Sequence, residues 1–167
     1  MKNYRLVSPD KFNCCPFSLI GDEWMLISAA KQDGEINFMT ASWGGMGVLW
    51  GKNVCFIFVR PSRYTYEFVE ESSHVSLSFF DADYRSKLVF CGTKSGRDYD
   101  KAKECGFNIS VEDSCPVFEE AKITVKARKL YASMIKPDDF VDKSCIDDVN
   151  NLHKMYVYEI EEIAVKD

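Results

Sequence analysis

The sequence predicts a mainly β fold in which short helices are inserted into an antiparallel barrel. Runs of β-branched and aromatic residues recur at strand length along the chain, and they do not alternate with long helices as in a doubly wound parallel sheet. The 167 residues contain no internal repeat, low-complexity tract or Pro- and Gly-rich linker. We therefore expect a single domain spanning residues 1–167.

Six segments have the composition and patterning of strands. Residues 53–59 form a β-branched and aromatic run long enough for a central strand, and residues 123–131 begin with alternating apolar and polar side chains. Asp33-Gly34, between two of the segments, is a strong hairpin signal. The predicted strands are residues 24–30, 36–42, 53–59, 75–80, 123–131 and 155–165.

The chain also contains four shorter segments with the features of helices. Residues 64–71 follow Pro61-Ser62 and carry apolar side chains at helical spacing. The predicted helices are residues 64–71, 84–90, 98–105 and 146–152.

Charge is distributed unevenly along the chain. The net charge of −5, from 26 acidic and 21 basic residues, disfavours a generally basic surface and hence nucleic-acid binding. Residues 137–167 carry nine acidic and three basic side chains, which indicates a solvated face or, as an alternative, a docking surface for a basic partner. The other residues, 18 basic and 17 acidic, leave room for a pocket that attracts anions.

The seven cysteines bear on the compartment of the protein. Residues 1–10 are polar and lack the apolar core of a signal peptide, and the uncharged run 36–51 is interrupted by glycines. We expect a cytoplasmic protein with reduced thiols and no membrane association, in which most cysteines pack as small buried hydrophobes. The alternative is that a cysteine of low pKa acts as a redox sensor.

Several catalytic motifs are absent from the sequence. It contains no GxxxxGK[ST], GxGxxG, GxSxG or CxxC pattern, and only two histidines. We therefore predict no metal site, and the catalytic residues stay unassigned.

The first unusual segment, residues 37–45, begins as a strand and ends in small residues around a single Trp. Small residues let the backbone approach a ligand closely, and a Trp supplies a flat apolar wall. The alternative is a strand end and turn packed under a core Trp.

The second segment, residues 59–66, follows the most hydrophobic strand and opens a helix. It brings together two Arg, a Ser, a Thr and a helix N-terminus, which suit a phosphate monoester. The alternative is a solvated turn with Pro and an N-cap Ser.

The third segment, residues 92–101, is a glycine-flanked polar loop with three cations and two hydroxyls. Alone it is typical of an exposed charged loop, but it could supply a second side to an anion pocket. The three segments together predict one site for a flat ring system with a terminal phosphate, and flavin mononucleotide (FMN) is the natural candidate.

The sequence resembles the flavin reductase-like family, and within it the flavoredoxin-like branch. The resemblance rests on NFMTASWGG at 37–45, VRPSRYTYEF at 59–68 and GTKSGRDYDK at 92–101, in the order and rough spacing of that family. It implies the FMN-binding split barrel, an antiparallel split β-barrel. It also implies a homodimer with the flavin near the subunit interface.

The resemblance implies a role for each matching position. Residues of the first segment would line the flavin ring and ribityl chain, those of the second would hold the phosphate, and those of the third would close over the cofactor. In this order the residues are Thr40, Ala41, Ser42 and Trp43; Arg60, Ser62, Arg63, Tyr64 and Thr65; and Ser95, Gly96 and Lys101.

The C-terminal region departs from the family pattern. Tyr158 stands where relatives often have Gly, and we expect it to narrow the place where a nicotinamide would stack. His153 is expected to face the flavin pocket and contact the substrate.

The leading hypothesis is an FMN-dependent oxidoreductase that takes hydride from NADH or NADPH. The main alternative is an electron carrier with tightly bound FMN and a protein redox partner. A third possibility is a split barrel with a changed ligand, such as pyridoxal phosphate or heme.

Overall fold

The computed structural model describes residues 4–167, which form ten strands and three α-helices. The strands are β1 (Tyr4–Val7), β2 (Met25–Ala30), β3 (Ile36–Ala41), β4 (Gly44–Leu49), β5 (Lys52–Val59), β6 (His74–Phe79), β7 (Ile109–Glu112), β8 (Cys115–Phe118), β9 (Ile123–Met134) and β10 (Lys154–Lys166). The helices are α1 (Tyr64–Glu71), α2 (Arg85–Thr93) and α3 (Lys101–Cys105). A π-helical turn lies at Phe17–Asp22, and 3₁₀ turns lie at Pro9–Lys11, Ala82–Tyr84, Pro137–Asp139 and Lys143–Cys145.

Eight strands form one antiparallel sheet in the order β3-β2-β6-β9-β10-β5-β4, with β1 paired to β10. The remaining strands, β7 and β8, form a separate hairpin. β10 is the most connected strand, since it pairs with β1, β5 and β9. β10 thus holds the sheet together, while β3 and β4 stand at its two ends.

One face of the sheet encloses the main core. Ile27 of β2 pairs with Leu77 of β6, which in turn pairs with Val125 of β9, and all three side chains are buried. Phe68 of α1 and Tyr156 of β10 belong to the same cluster. Burial of this continuous apolar surface is the main stabilising contribution to the barrel.

The opposite face of β2 and β6 is covered by a second core. Leu26, next to Ile27 in the chain, points to this face because side chains alternate along a strand. Phe118 of β8 packs edge-on against Phe38 and Phe107, with ring centroids 5.1 and 5.2 Å apart. This cluster fixes the β7-β8 hairpin and helices α2 and α3 against the barrel.

A buried cation also fixes the hairpin. The Lys126 ammonium, only 6% exposed, lies 3.2 Å from Glu112, 3.3 Å from Asp113 and 3.1 Å from Glu162. These three carboxylates compensate the cost of removing the Lys126 ammonium from water.

All six predicted strands are confirmed, with bounds shifted by at most three residues. Helix 64–71 is confirmed as α1, and helices 84–90 and 98–105 are confirmed as the regions of α2 and α3. α3 begins later than predicted because Asp100 caps it: its side chain accepts a hydrogen bond from the Lys103 N–H.

The predicted helix at 146–152 is wrong, since these residues form turns. The Asp148 carboxylate accepts a bond from the Asn150 N–H at 3.0 Å, and Asp147 accepts one from the Asp148 N–H at 2.9 Å. Such local side-chain bonds compete with helical hydrogen bonding.

Strands β1, β4, β7 and β8 were not predicted from the sequence. β4 contains three glycines, which are unfavourable for strands, yet it pairs with β5 through a two-residue turn at Trp50-Gly51. Both turn residues have positive φ, 53° and 69°, as the favoured hairpin turn requires.

Candidate functional site

The three unusual segments meet in one groove beside the barrel. It consists of a wide cavity of 520 Å³ and a narrow cavity of 290 Å³. Met39, Ser62 and Arg63 line both cavities, so the two adjoin. The wide cavity is further lined by Thr40, Ala41, Ser42, Trp43, Phe58, Arg60, Asn151 and His153. The narrow cavity is further lined by Asn37, Tyr64, Thr65, Cys91, Thr93, Lys94, Ser95, Gly96, Arg97, Asp98 and Lys101.

The wide cavity has an aromatic wall and a backbone edge. Trp43 is 57% exposed, and its ring lies 5.1 Å from that of His153. Trp43 lies at the turn from β3 into β4. The next residue, Gly44, passes close to β5: a Cβ atom added to Gly44 would lie 2.8 Å from the Phe56 carbonyl oxygen. The end of β3, Thr40 and Ala41, supplies backbone groups along the cavity.

Two arginines lie between the end of β5 and α1. The Arg60 guanidinium forms an ion pair with Asp147, and its Nε donates to His153 Nε2 at 3.3 Å. Arg63, at the junction of the cavities, donates from Nη1 to the Gly92 carbonyl at 3.0 Å. The first turn of α1 borders the narrow cavity through Tyr64 and Thr65, so the positive end of its dipole favours an anion there.

The narrow cavity is rich in cations and hydroxyls. Lys101 is 4% exposed, and its ammonium donates to the Phe38 carbonyl. Burial lowers the pKa of Lys101 to about 8, and Arg63 contributes in the same direction, while the neighbouring Cys91 opposes the shift. Lys101 therefore remains mostly protonated at neutral pH. With Arg63 it offers charged donors suited to a phosphate.

Gly96 brings the third segment into contact with α1 and β3. A methyl group at this position would overlap the Asn37 amide oxygen and lie 3.2 Å from the Tyr64 ring. Asn37 is itself held in place, because its Nδ2 donates to the buried Thr65 hydroxyl at 2.9 Å. Only glycine lets the loop pack this closely.

We expect Gly96→Ala to weaken FMN binding about tenfold, since overpacking by one methyl costs roughly 1–3 kcal/mol and would push the loop from the cavity. Quenching of flavin fluorescence on titration measures the dissociation constant. Gly47→Ala is the matched control, because nothing lies within 4 Å of its Cβ position. Equal affinity of both variants would contradict the assignment of Gly96.

The surroundings of His153 favour its neutral form. Burial lowers its pKa, the Arg60 guanidinium lowers it further, and Asp147 partly opposes them. Since Arg60 donates to Nε2, the proton of the neutral imidazole resides on Nδ1.

The lowered pKa of His153 predicts a pH-dependent stability. The unfolded chain binds the proton first, so the contribution of neutral His153 is present above its ordinary pKa of 6.5 and is lost as the pH falls below it. We expect the melting temperature of the wild type to fall relative to His153→Gln between about pH 8 and about pH 5.5. A pH-independent difference would contradict this.

Every residue assigned to the site from the sequence lines one of the two cavities. Their roles toward a cofactor stay predictions. Sequence reasoning missed several lining residues: Asn37, Met39, Phe58, Cys91, Thr93, Lys94, Arg97, Asp98 and Asn151. Most lie inside the quoted segments, but Asn151 lies in the wrongly predicted helix and had no signal.

Tyr158 does not reach the groove, so its expected effect on nicotinamide access is wrong. It is fully buried in the main core, where burial raises its pKa. Its hydroxyl has no hydrogen-bond partner among the described residues.

The acidic C-terminal section uses many of its carboxylates locally. Glu159 lies 2.6 Å from Lys52 and also pairs with Arg128, and Asp147 pairs with Arg60. These ion pairs reduce the negative charge available for a partner at this section.

Residues 4–167 contain neither a membrane-spanning helix nor a cluster of metal ligands. No helix of this range is long and apolar enough to cross a membrane. In the same range no three His, Cys, Asp or Glu side chains are grouped so that they could hold a metal ion.

The fold and the groove define a split-barrel protein with a site suited to a flat anionic ligand. Residues 17–167 match the model of the flavin reductase like domain. The chain therefore belongs to the flavin reductase-like family and is a protein of flavin reductase type. No curated protein matches it in sequence.

Solved structures share this fold at low sequence identity. Flavoredoxin of Desulfovibrio vulgaris (Miyazaki F) has a TM-score of 0.68 and 17% identity, over 86% of this chain and 69% of that one. Flavoredoxin from Methanosarcina acetivorans has a TM-score of 0.69 and 20% identity, over 87% and 69%. An FMN-binding domain of flavin reductases-like enzyme from Shewanella baltica OS155 has a TM-score of 0.69 and 15% identity, over 98% and 78%.

Proposed function

We propose that the groove binds FMN and that the protein is an NAD(P)H-dependent flavin oxidoreductase. The observation that carries the proposal is that an aromatic-walled cavity adjoins a cation-lined one, with Ser62 and Arg63 in the lining of both. The combined shape matches a planar ring at one end and a phosphate at the other. Membership of the flavin reductase-like family and the FMN-binding protein of Shewanella baltica support the same ligand.

The residues present fit FMN. Arg63 and Lys101 supply charge for the phosphate, and Ser62, Thr65 and Ser95 supply hydroxyls. The backbone from Thr40 to Ser42 would contact the ring edge. When bound, the flavin supplies the group that accepts and releases hydride.

His153 and Trp43 both line the wide cavity, with ring centroids 5.1 Å apart, and Trp43 is exposed to solvent. A nicotinamide donor would enter beside them. We assign His153 the role of orienting the donor, because its neutral imidazole keeps one N–H for a hydrogen bond. Trp43 supplies a flat surface at the entrance.

A homodimer is also proposed. Phe17 and Trp43 are 86% and 57% exposed, and both line a further cavity of 420 Å³ that shares Ser42 and Trp43 with the wide cavity. Large apolar side chains exposed together are typical of protein interfaces. A second copy covering them would complete the groove near the flavin; a monomer at micromolar concentration in light scattering would contradict this.

The alternative function is an electron carrier with fixed FMN and a protein redox partner. The exposed side of Trp43 favours this alternative. A flavin ring bound against Trp43 would lie near the surface, where it could exchange electrons with a protein partner without a bound nicotinamide. The two functions differ in their response to NADH and NADPH.

Anaerobic absorbance spectroscopy tests the proposal. FMN added to the purified protein should give a perturbed flavin spectrum, and NADH or NADPH should then bleach it within seconds. A bound flavin that only a protein donor reduces makes the protein a carrier. Absence of FMN binding would overturn the cofactor assignment, and titration with pyridoxal phosphate would then test the changed-ligand alternative.

A further inference from the structure

Two buried cysteines lie behind the narrow cavity, outside the proposed flavin chemistry. Cys91 belongs to α2 and Cys105 ends α3, and their Sγ atoms are 3.7 Å apart. Both are free thiols, with exposures of 1% and 5%. Among the residues that the structure describes, this is the one thiol pair in hydrogen-bond contact.

The pair brackets the third segment of the groove. Residues 92–104 lie between the two cysteines, and they include Ser95, Gly96 and Lys101 of the cavity wall. A covalent bond between Cys91 and Cys105 would therefore enclose this wall in a closed loop. Since a disulfide has an S–S distance of about 2.05 Å, the sulfur atoms need approach by less than about 2 Å.

Cys91 is accessible to a small neutral oxidant through the cavity that it lines. Burial raises the pKa of Cys91 to about 12, whereas the neighbouring Lys101 ammonium favours its thiolate. The reaction is consequently slower than at an exposed cysteine, and a ligand in the narrow cavity would block it.

We propose that Cys91 and Cys105 form a reversible disulfide that restrains residues 92–104 over the narrow cavity, with hydrogen peroxide as the oxidant. The Cys91 thiolate attacks one peroxide oxygen, the O–O bond breaks, and water leaves after protonation. Cys105 then attacks the sulfenic sulfur, the S–O bond breaks and a second water leaves. Two electrons pass from the sulfurs to the peroxide.

The restraint would act on an exposed loop. Lys94 and Arg97 are solvent-exposed within it. Cross-linking its ends removes conformational freedom from the open states of the loop, so proteolysis there should slow by about tenfold. Because this effect requires no flavin, its failure is distinguishable from failure of FMN binding.

The test uses the full chain with Cys14, Cys15 and Cys145 replaced by Ser, since these three are exposed or half-buried and would react first. Hydrogen peroxide should lower its mass by two hydrogen atoms, and dithiothreitol should restore it. Trypsin cleaves after Lys94 and Lys103, and a second digestion with Glu-C cleaves after Glu112 and so separates Cys105 from Cys115. Non-reducing mapping of the double digest should find the Cys91 peptide linked to the Cys105 peptide.

Adding Cys91→Ser or Cys105→Ser to this background should abolish both the mass change and the slower cleavage. Peptide mapping of the wild type provides the same answer if a Ser variant fails to fold. An unchanged mass, oxygen addition without cross-linking, or linkage involving Cys55 or Cys115 would overturn the proposal.

Discussion

Arg63→Ala is expected to weaken FMN binding by about 100-fold or more, because a charged donor to a partly enclosed phosphate contributes roughly 2–5 kcal/mol. We expect this large effect because Arg63 lines both cavities and its Nη1 donates to the Gly92 carbonyl oxygen at 3.0 Å, which fixes the guanidinium in place. Fluorescence titration measures the dissociation constant.

Riboflavin, which has the same ring and no phosphate, separates two roles of Arg63. If Arg63 holds the phosphate, riboflavin affinity should change little in Arg63→Ala. An equal loss for both ligands would show that Arg63 acts instead by fixing the loop at Gly92. Arg5→Ala is the matched control, because Arg5 lies on β1 and its side chain is 66% exposed.

Phe118→Ala is expected to lower the free energy of unfolding by about 3–5 kcal/mol, as is typical of a fully buried Phe. Its ring is completely buried and contacts Phe38, Phe80 and Phe107 at centroid distances of 5.1, 5.6 and 5.2 Å. For a chain of this length the melting temperature should fall by about 10 °C.

Urea unfolding measures the stability change, and Val141→Ala provides the control. Val141 is fully exposed, so its truncation should change the free energy of unfolding by less than about 0.5 kcal/mol. A loss below about 1 kcal/mol for Phe118→Ala would show that the second core rearranges to fill the space.

The site was more predictable from sequence than the strands around it. Three features have a local signal: small residues that expose the backbone, an Arg-Pro-Ser-Arg turn at a helix start and a Gly-flanked loop. They singled out the segments that contain Ser42, Arg63 and Gly96, and these residues line the groove. No single segment shows that the three meet in one groove, because they are far apart in the chain. That prediction depended on the physical expectation that hydrogen-bond donors and a flat apolar wall serve one ligand.

β4 illustrates what local patterns miss. Its GGMGVL sequence has poor strand propensity, and pairing with β5 stabilises it nonetheless. Tyr158 illustrates a pattern left unused: it is two residues from Tyr156 and from Ile160 on one strand, so alternation places all three on the same, inward face. That spacing would have predicted its burial.

The central place of β10 has a consequence for how the chain folds during synthesis. This strand pairs with β1, β5 and β9, and it follows all three in the chain. Until Lys154–Lys166 has left the ribosome, those three strands have edges without their partner. Such edges bind other chains, so the nascent protein is most prone to aggregate just before its last strand emerges. The pairing of β1 with β10 joins residues more than a hundred positions apart in the chain. It also makes folding slow, because the intervening chain loses conformational entropy before the contacts between the two strands form.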